Sequence, residues 1–250
     1  MAGISIFGIQ GLPEIEPGND LAKSIFEAAR DSGTPLESGD VLVITSKIVS
    51  KAENRIVMMD EVEVSPFARQ YAERFEKEPA IVELVLRESK RVVRMVGPIF
   101  ITETHHGFIC ANAGIDQSSS GGHGRALLLP VDPDGSCTRI RENLKAHGLD
   151  VAVIMSDTFG RPWREAQTDI AIGIAGMQPV TSYIGQIDPH GHEFRVQALC
   201  TADEIAGAAE LVKGNLSRVP AAVVRGLTWE PDDTATMRSV IRDSERDVFR

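Results

Sequence analysis

Two apolar runs limit what this chain can fold into. "VAVIMS" at residues 151–156 and "DIAIGIAG" at 169–176 read as strands buried on both faces, because each is short and nearly unbroken by polar residues. Elsewhere short apolar segments alternate with amphipathic ones. "ISIFGI", "DVLVITS", "RVVRMV", "IFITET", "GFICANAGI" and "AAVVRGL" suit strands; "LAKSIFEAAR", "SPFARQYAERFE", "PAIVELVLRES", "CTRIRENLKAHG" and "ADEIAGAAELVKG" suit helices. The alternation predicts a mixed α/β (α+β) fold. Local signals agree: Asp20 and Ser46 stand where helix caps are expected, Pro66 and Pro79 near helix starts, and Gly148 at a helix end. No repeat or linker interrupts the chain, so residues 1–250 are expected to form one domain, with any lobe boundary near 60–80.

Composition narrows the function. Hydrophobic residues make up 42% and charged residues 25% of the 250 positions, an ordinary globular balance. The apolar runs fall short of the ~20 residues of a membrane span, and "MAGISIFGIQ" lacks the basic start of a signal peptide. A cytoplasmic protein, with no membrane partner, is expected. A formal charge of −10 and no basic block argue against nucleic acid as a partner. A small anion can still bind such a chain where metal ions or local lysines reverse the field. Two like charges ~4 Å apart cost roughly 4 kcal/mol at an effective dielectric of 20. Cys110, Cys137 and Cys200 fit neither a disulfide framework nor a zinc site and read as buried thiols, and the histidines at 105, 106, 190 and 192 as surface loop residues.

Three stretches place acids directly after apolar runs: Asp116 in "NAGIDQSS", Asp132 and Asp134 in "LLLPVDPDGS", and Asp157 in "VAVIMSDTFGR". "DPDGS" is well explained as a turn running into a helix cap. For Asp116 and Asp157, with Thr158, two readings stay open: a turn, or hard oxygen ligands for Mg²⁺ or Mn²⁺ at the ends of strands. Lys47 and Lys51 lie four apart at a helix start, on one face, either as solvated lysines or as phosphate contacts. "SSSGGHG" is either a flexible loop or a backbone cradle for phosphate. The chain has no G-x-x-x-x-G-K-[ST], G-x-G-x-x-G or G-x-S-x-G sequence, so neither a P-loop nor a Rossmann fold is expected.

In order along the chain, "GLPEIEPGNDL", "GDVLVITSKIVSKAENRIV", "NAGIDQSS", "LLLPVDPDGS", "SDTFGRPWREAQTDIAIGIAG" and "VPAAVVRGL" resemble the gamma-glutamyl ligases of coenzyme F420 biosynthesis. The resemblance implies two closely associated lobes with mixed sheets, usually in an intertwined homodimer. It implies ligation of L-glutamate to the deazaflavin precursor F420-0, which carries a lactyl-phosphate tail, with GTP consumed, two Mg²⁺ or Mn²⁺ ions, and K⁺ as a helper. On this chain the nucleotide contacts fall on Leu12, Pro13, Glu14 and Ile15, on Ser46, Lys47 and Lys51, on Ser119, and on Val212, Lys213, Gly214 and Asn215. The metal ligands fall on Asp116, Asp157 and Thr158. Asn215 stands where some members carry an acidic ligand. The implied chemistry is γ-phosphoryl transfer to the terminal carboxylate, giving an acyl phosphate that the glutamate amine attacks, with Lys47 and Lys51 neutralising charge. Arg161 and Arg164 are expected to grip a substrate phosphodiester or carboxylate and Trp163 to stack on a ring, unless all three are surface residues. With the sequence ending at Arg250, the flavin-binding reductase-like domain that some members carry, and its flavin chemistry, are not expected. A metal-dependent nucleotide phosphohydrolase and a nucleotide-responsive binding protein are the competing readings.

Overall fold

The computed structural model describes residues 3–117, 122 and 124–247. Ser119, one expected nucleotide contact, lies outside them. The first third holds β1 (Ser5–Gly8), α1 (Leu21–Asp31), β2 (Val41–Thr45), α2 (Ser46–Ala52) and β3 (Ile56–Met58). Next come α3 (Pro66–Phe75), α4 (Pro79–Arg87), β4 (Ser89–Val96), β5 (Ile99–Thr104), β6 (Ile109–Ala111) and β7 (Arg125–Leu127). The second half adds α5 (Pro133–Ala146), β8 (Ala152–Arg161), β9 (Arg164–Met177), β10 (Thr181–Ser182), β11 (Ala198–Leu199), α6 (Thr201–Lys213), β12 (Ala221–Arg225) and β13 (Pro231–Asp232). This is the mixed α+β fold that the alternation predicts.

The main sheet has the order β1-β12-β2-β8-β9-β13. Its neighbours pair antiparallel except β2 and β8, which run parallel from Val41 opposite Ala152 to Thr45 opposite Ser156. Every side chain of Val41–Ile44 and Val151–Met155 is fully buried. Successive strand residues point to opposite faces, so the sheet is covered on both sides, as the two apolar runs require. The cover comes from α5, which packs on β8 and β9 and against α1, and from α6, which packs on β1, β9 and β12.

Local chemistry sets the helix starts. Asp20 accepts from the Lys23 N–H at 3.1 Å. Ser65 caps α3 through the Ala68 N–H at 3.2 Å, with Pro66 as the first helical residue. Asp132 accepts from the Gly135 N–H at 3.0 Å, and α5 therefore begins at Pro133, earlier than the pattern from Cys137 suggests. A cap of this kind contributes about 1 kcal/mol. Ser46 corrects the sequence reading. β2 runs straight into α2, so Thr45 takes the capping position and Ser46 is already helical and buried.

A second cluster gathers Tyr71, Ile81, Val82, Val85, Phe100 and Leu128 from α3, α4 and their surroundings, beside the sheet β4-β5-β6 and the antiparallel pair β3-β7. Cys110 and Cys137 are buried thiols; Cys200 is only half-buried. No helix among the described residues is long and apolar enough to cross a membrane.

Candidate functional site

The parallel pairing of β2 with β8 decides where chemistry can gather. Thr45 and Ser156 close the pairing side by side. The residues that follow, Ser46 and Lys47 on α2 and Asp157 and Thr158 on β8, therefore stand together where β2 ends and β8 continues paired with β9 alone. Lys47, Asp157 and Thr158 line a cleft of about 310 Å³. Leu12–Ile15 from the loop after β1, Lys51 of α2, Asp169 of β9, Glu210 of α6, and Gly214, Asn215 and Arg218 beyond α6 complete its walls.

Ion pairs order the rim. Lys51 is bonded to Glu14. The Lys51 hydrogen bond and charge hold the Glu14 carboxyl below the usual carboxylate range, with Arg218 adding a smaller pull the same way. Lys47 Nζ lies 3.2 Å from Asp116 Oδ2. Asp116 is pinned through its backbone, which exchanges hydrogen bonds of 3.0 and 2.8 Å with Leu127 of β7. The second cluster thus touches the cleft through Asp116.

Asp157 is the most perturbed group at the site. Burial pushes its carboxyl up to about 7, although the Thr158 N–H, 3.0 Å from Oδ1, the Lys47 charge and a Ser46 hydrogen bond pull it down. A carboxylate that burial discourages from ionising gains most from an added cation. Asp157, Asp116 and the Thr158 hydroxyl are hard oxygen donors, which fit Mg²⁺ or Mn²⁺. Among the described residues no group of three or more His, Cys, Asp or Glu side chains is gathered around one point.

Under the cleft lies a polar network that the sequence reading missed. Asp169 Oδ1 accepts from the Thr158 hydroxyl at 2.6 Å and Oδ2 from the Ser156 hydroxyl at 2.8 Å. Lys213 Nζ donates to Asp169 Oδ2 at 2.8 Å and to Ser156 Oγ at 2.7 Å. Burial alone would raise the Asp169 carboxyl, but Lys213 and the two hydroxyls outweigh it and hold it low. Burial, with Asp169 beside it, raises Glu210. An acid opening the buried run "DIAIGIAG" was the available signal for Asp169; Lys213 was expected as a nucleotide contact, and nothing in the sequence marked it as the partner of Asp169.

Of the expected site residues, Leu12, Pro13, Glu14, Ile15, Lys47, Lys51, Asp157, Thr158, Gly214 and Asn215 line the cleft. Ser46 and Asp116 stand just behind it, bonded to or paired with its wall. Lys213 is fully buried beneath the cleft rather than in it. Val212 is half-buried, its carbonyl against β1 near Gly8. Arg161, Trp163 and Arg164 are not part of these walls: they sit exposed at the far end of the β8–β9 hairpin, Trp163 at 79% exposure.

The named cleft groups include Lys47, Lys51 and Arg218 on one side and Glu14, Asp157, Asp169 and Glu210 on the other. Their charges come close to cancelling, so a polyanion held here would need further positive charge.

Comparison with known proteins assigns the chain. The family model described as F420-0:Gamma-glutamyl ligase matches residues 9–226. The Coenzyme F420:L-glutamate ligase of Methanothermobacter thermautotrophicus is 42% identical over 251 residues, covering 99% of both chains. That of Methanopyrus kandleri is 42% identical over 259 residues, covering all of both chains, and that of Archaeoglobus fulgidus 39% identical over 249 residues, covering 99% of this chain and 96% of its own. With the match running from just after β1 through both long central strands and β12, this chain belongs to the F420-0:gamma-glutamyl ligase family.

Proposed function

We propose that the chain joins L-glutamate to the terminal carboxylate of the deazaflavin precursor F420-0, consuming GTP and releasing GDP and phosphate. The observation that carries this reading is the meeting, in one cleft, of Lys47 and Lys51 from α2 with Asp157 and Thr158 from β8, in a chain similar over its whole length to glutamate ligases. Leu12–Ile15 on one side and Gly214 and Asn215 on the other take the nucleotide between them, with Val212 and Lys213 supporting that turn from beneath. Lys47 and Lys51 exchange their carboxylate partners for phosphate oxygens, which lowers the repulsion between the triphosphate and the substrate carboxylate. That carboxylate attacks the γ-phosphorus, GDP leaves, and the glutamate amine then displaces phosphate from the acyl phosphate.

Asp116, Asp157 and Thr158 would hold Mg²⁺ or Mn²⁺, which supplies charge neutralisation at the phosphates. Asp157 would then be ionised at neutral pH, since a cation beside it offsets the burial that raises its carboxyl. K⁺ as a helper ion, a homodimer and a cytoplasmic location belong to the same reading. In a homodimer the exposed Arg161, Trp163 and Arg164 would find their ligand in contact with a second copy.

The test is a mass-resolved assay with F420-0, GTP, Mn²⁺ or Mg²⁺ and L-glutamate, beside Asp157→Asn. The expected result is a product heavier by one or more glutamyl units, reduced at least ~100-fold in the variant. GTP loss without that product would instead mark a phosphohydrolase, and GTP binding without turnover a nucleotide-responsive protein.

A further inference from the structure

The network beneath the cleft has only one consistent arrangement of its protons. Protonated Lys213 has donors and no acceptor, and ionised Asp169 has acceptors and no donor. Ser156, held between them, must accept from Lys213 and donate to Asp169. Thr158 must likewise donate its only hydroxyl proton to Asp169, at 2.6 Å. Thr158 lines the cleft, and its hydroxyl oxygen has that proton already committed. It can therefore only accept from a donor or coordinate a cation.

We propose that Asp169 and Lys213 form a buried positioning pair that fixes the Thr158 hydroxyl as an oriented acceptor toward the cleft. Lys213 is 0% exposed and lies outside the cleft lining, and Asp169, 3% exposed, edges the cleft wall with both carboxylate oxygens already bonded. A buried ion pair is a poor device for stability, since apolar side chains of similar volume usually do as well or better. Its placement under the strand end gives it a different use. Lys213 keeps Asp169 ionised, Asp169 takes the Thr158 proton, and Ser156 locks the carboxylate's second oxygen. Residues that orient a ligand in this way commonly change metal affinity 10–100-fold when altered. The part of the inference that concerns a cation rests on the functional reading above; the orientation of Thr158 does not.

Two readouts separate these claims. The first is the χ1 rotamer of Thr158, from three-bond couplings to its methyl carbon in the ligand-free protein. A single rotamer is expected in the unaltered chain and an averaged one in Asp169→Asn. Because that variant leaves Lys213 with only the Glu210 carboxylate, 3.8 Å away, the apolar combination Ser156→Ala, Asp169→Leu, Lys213→Met serves as a second route that preserves packing, with thermal unfolding as the check on folding. An unchanged single rotamer in both would overturn the proposal.

The second readout is Mn²⁺ binding without nucleotide, followed by the spin-resonance signal of free Mn²⁺. Asp169→Asn should weaken it at least tenfold, Thr158→Val similarly, and the double variant no further than Thr158→Val alone, because Asp169 acts through that hydroxyl. Multiplying losses would overturn the route through Thr158. Failure of the unaltered protein to bind Mn²⁺, with a fixed Thr158 rotamer, would overturn the metal assignment and leave the positioning pair supported.

Discussion

One hairpin has two different ends. β8 and β9 stay paired from Val153 opposite Ala175 to Arg161 opposite Arg164. At the base, Val153–Met155 and Ile174 are fully buried and the polar groups Ser156 and Asp169 are bonded to Lys213. At the tip, Gly160 through Gln167 are exposed, and Trp163 and Ala166 adopt positive φ values of 56° and 64°. The same backbone ladder runs through both. The difference teaches that pairing alone does not make a site: side chains become fixed where helices close over the strands, and Asp157 and Thr158 stand where that cover ends.

The sharpest way to break the comparison is at the base. Lys213→Ala leaves Asp169 buried without its cation, and such a loss costs about 3–5 kcal/mol. Urea unfolding should show it; a loss under ~1 kcal/mol would mean that water reaches the base and that the two ends are alike. Next in size is Gly173→Ala. A Cβ there would stand 2.6 Å from the Pro133 carbonyl oxygen and 2.7 Å from its carbon, so α5 or β9 must move. A cost of about 1–3 kcal/mol is expected from the unfolding midpoint.

A pH effect sharpens the same contrast. Asp134, at the start of α5, accepts the Ile174 N–H of β9 at 2.9 Å and the Met237 N–H at 3.1 Å. Burial raises its carboxyl above the ordinary value despite those bonds. The folded state therefore holds the proton more tightly than the unfolded chain. Its contribution is complete below an unfolded pKa of about 3.8 and is lost as pH rises through the folded value. The stability difference between wild type and Asp134→Asn should shift against the wild type over that window, measured by urea unfolding at a series of pH values. A shift in the opposite direction would show the carboxyl to be stabilised as the anion.

The smallest effect belongs to the tip. Trp163→Ala should change stability by no more than about 0.5 kcal/mol, and iodide should quench Trp163 far more than Trp229, whose indole N–H is bonded to the Gly39 carbonyl at 3.1 Å. Concentration-dependent protection of Trp163 would show that a second copy covers the tip.

The base was partly legible in the sequence. The unbroken run before Asp157, the lysine pair four apart, and the capping acid in "DPDGS" each act through residues close in sequence, so local pattern carried them, though α5 itself starts four residues before the pattern from Cys137. Asp169 and Lys213 were not legible as partners, because what joins them is the register of β8 on β9 and the packing of α6, both set by tertiary structure. A bulge intervenes as well: Met155 pairs with Gly173 but Ser156 with Ala171, which shifts Asp169 opposite Thr158. The length of the hairpin was not legible for a related reason. "GRPWRE" has the turn residues of a loop, and nothing in it announces that the strands continue to either side.

The parallel ladder between β2 and β8 has one more consequence. Those strands are nearest neighbours in the sheet, yet the whole second cluster, with α3, α4 and the sheet β4-β5-β6, lies between them in the chain. That entire excursion hangs from a fixed frame. Residues can be inserted into it or trimmed from it while the Cα separation of Lys47 and Asp157 stays where five rungs of backbone pairing hold it. The chain can thus vary in length there while the distance between its central lysine and its central acid stays constant.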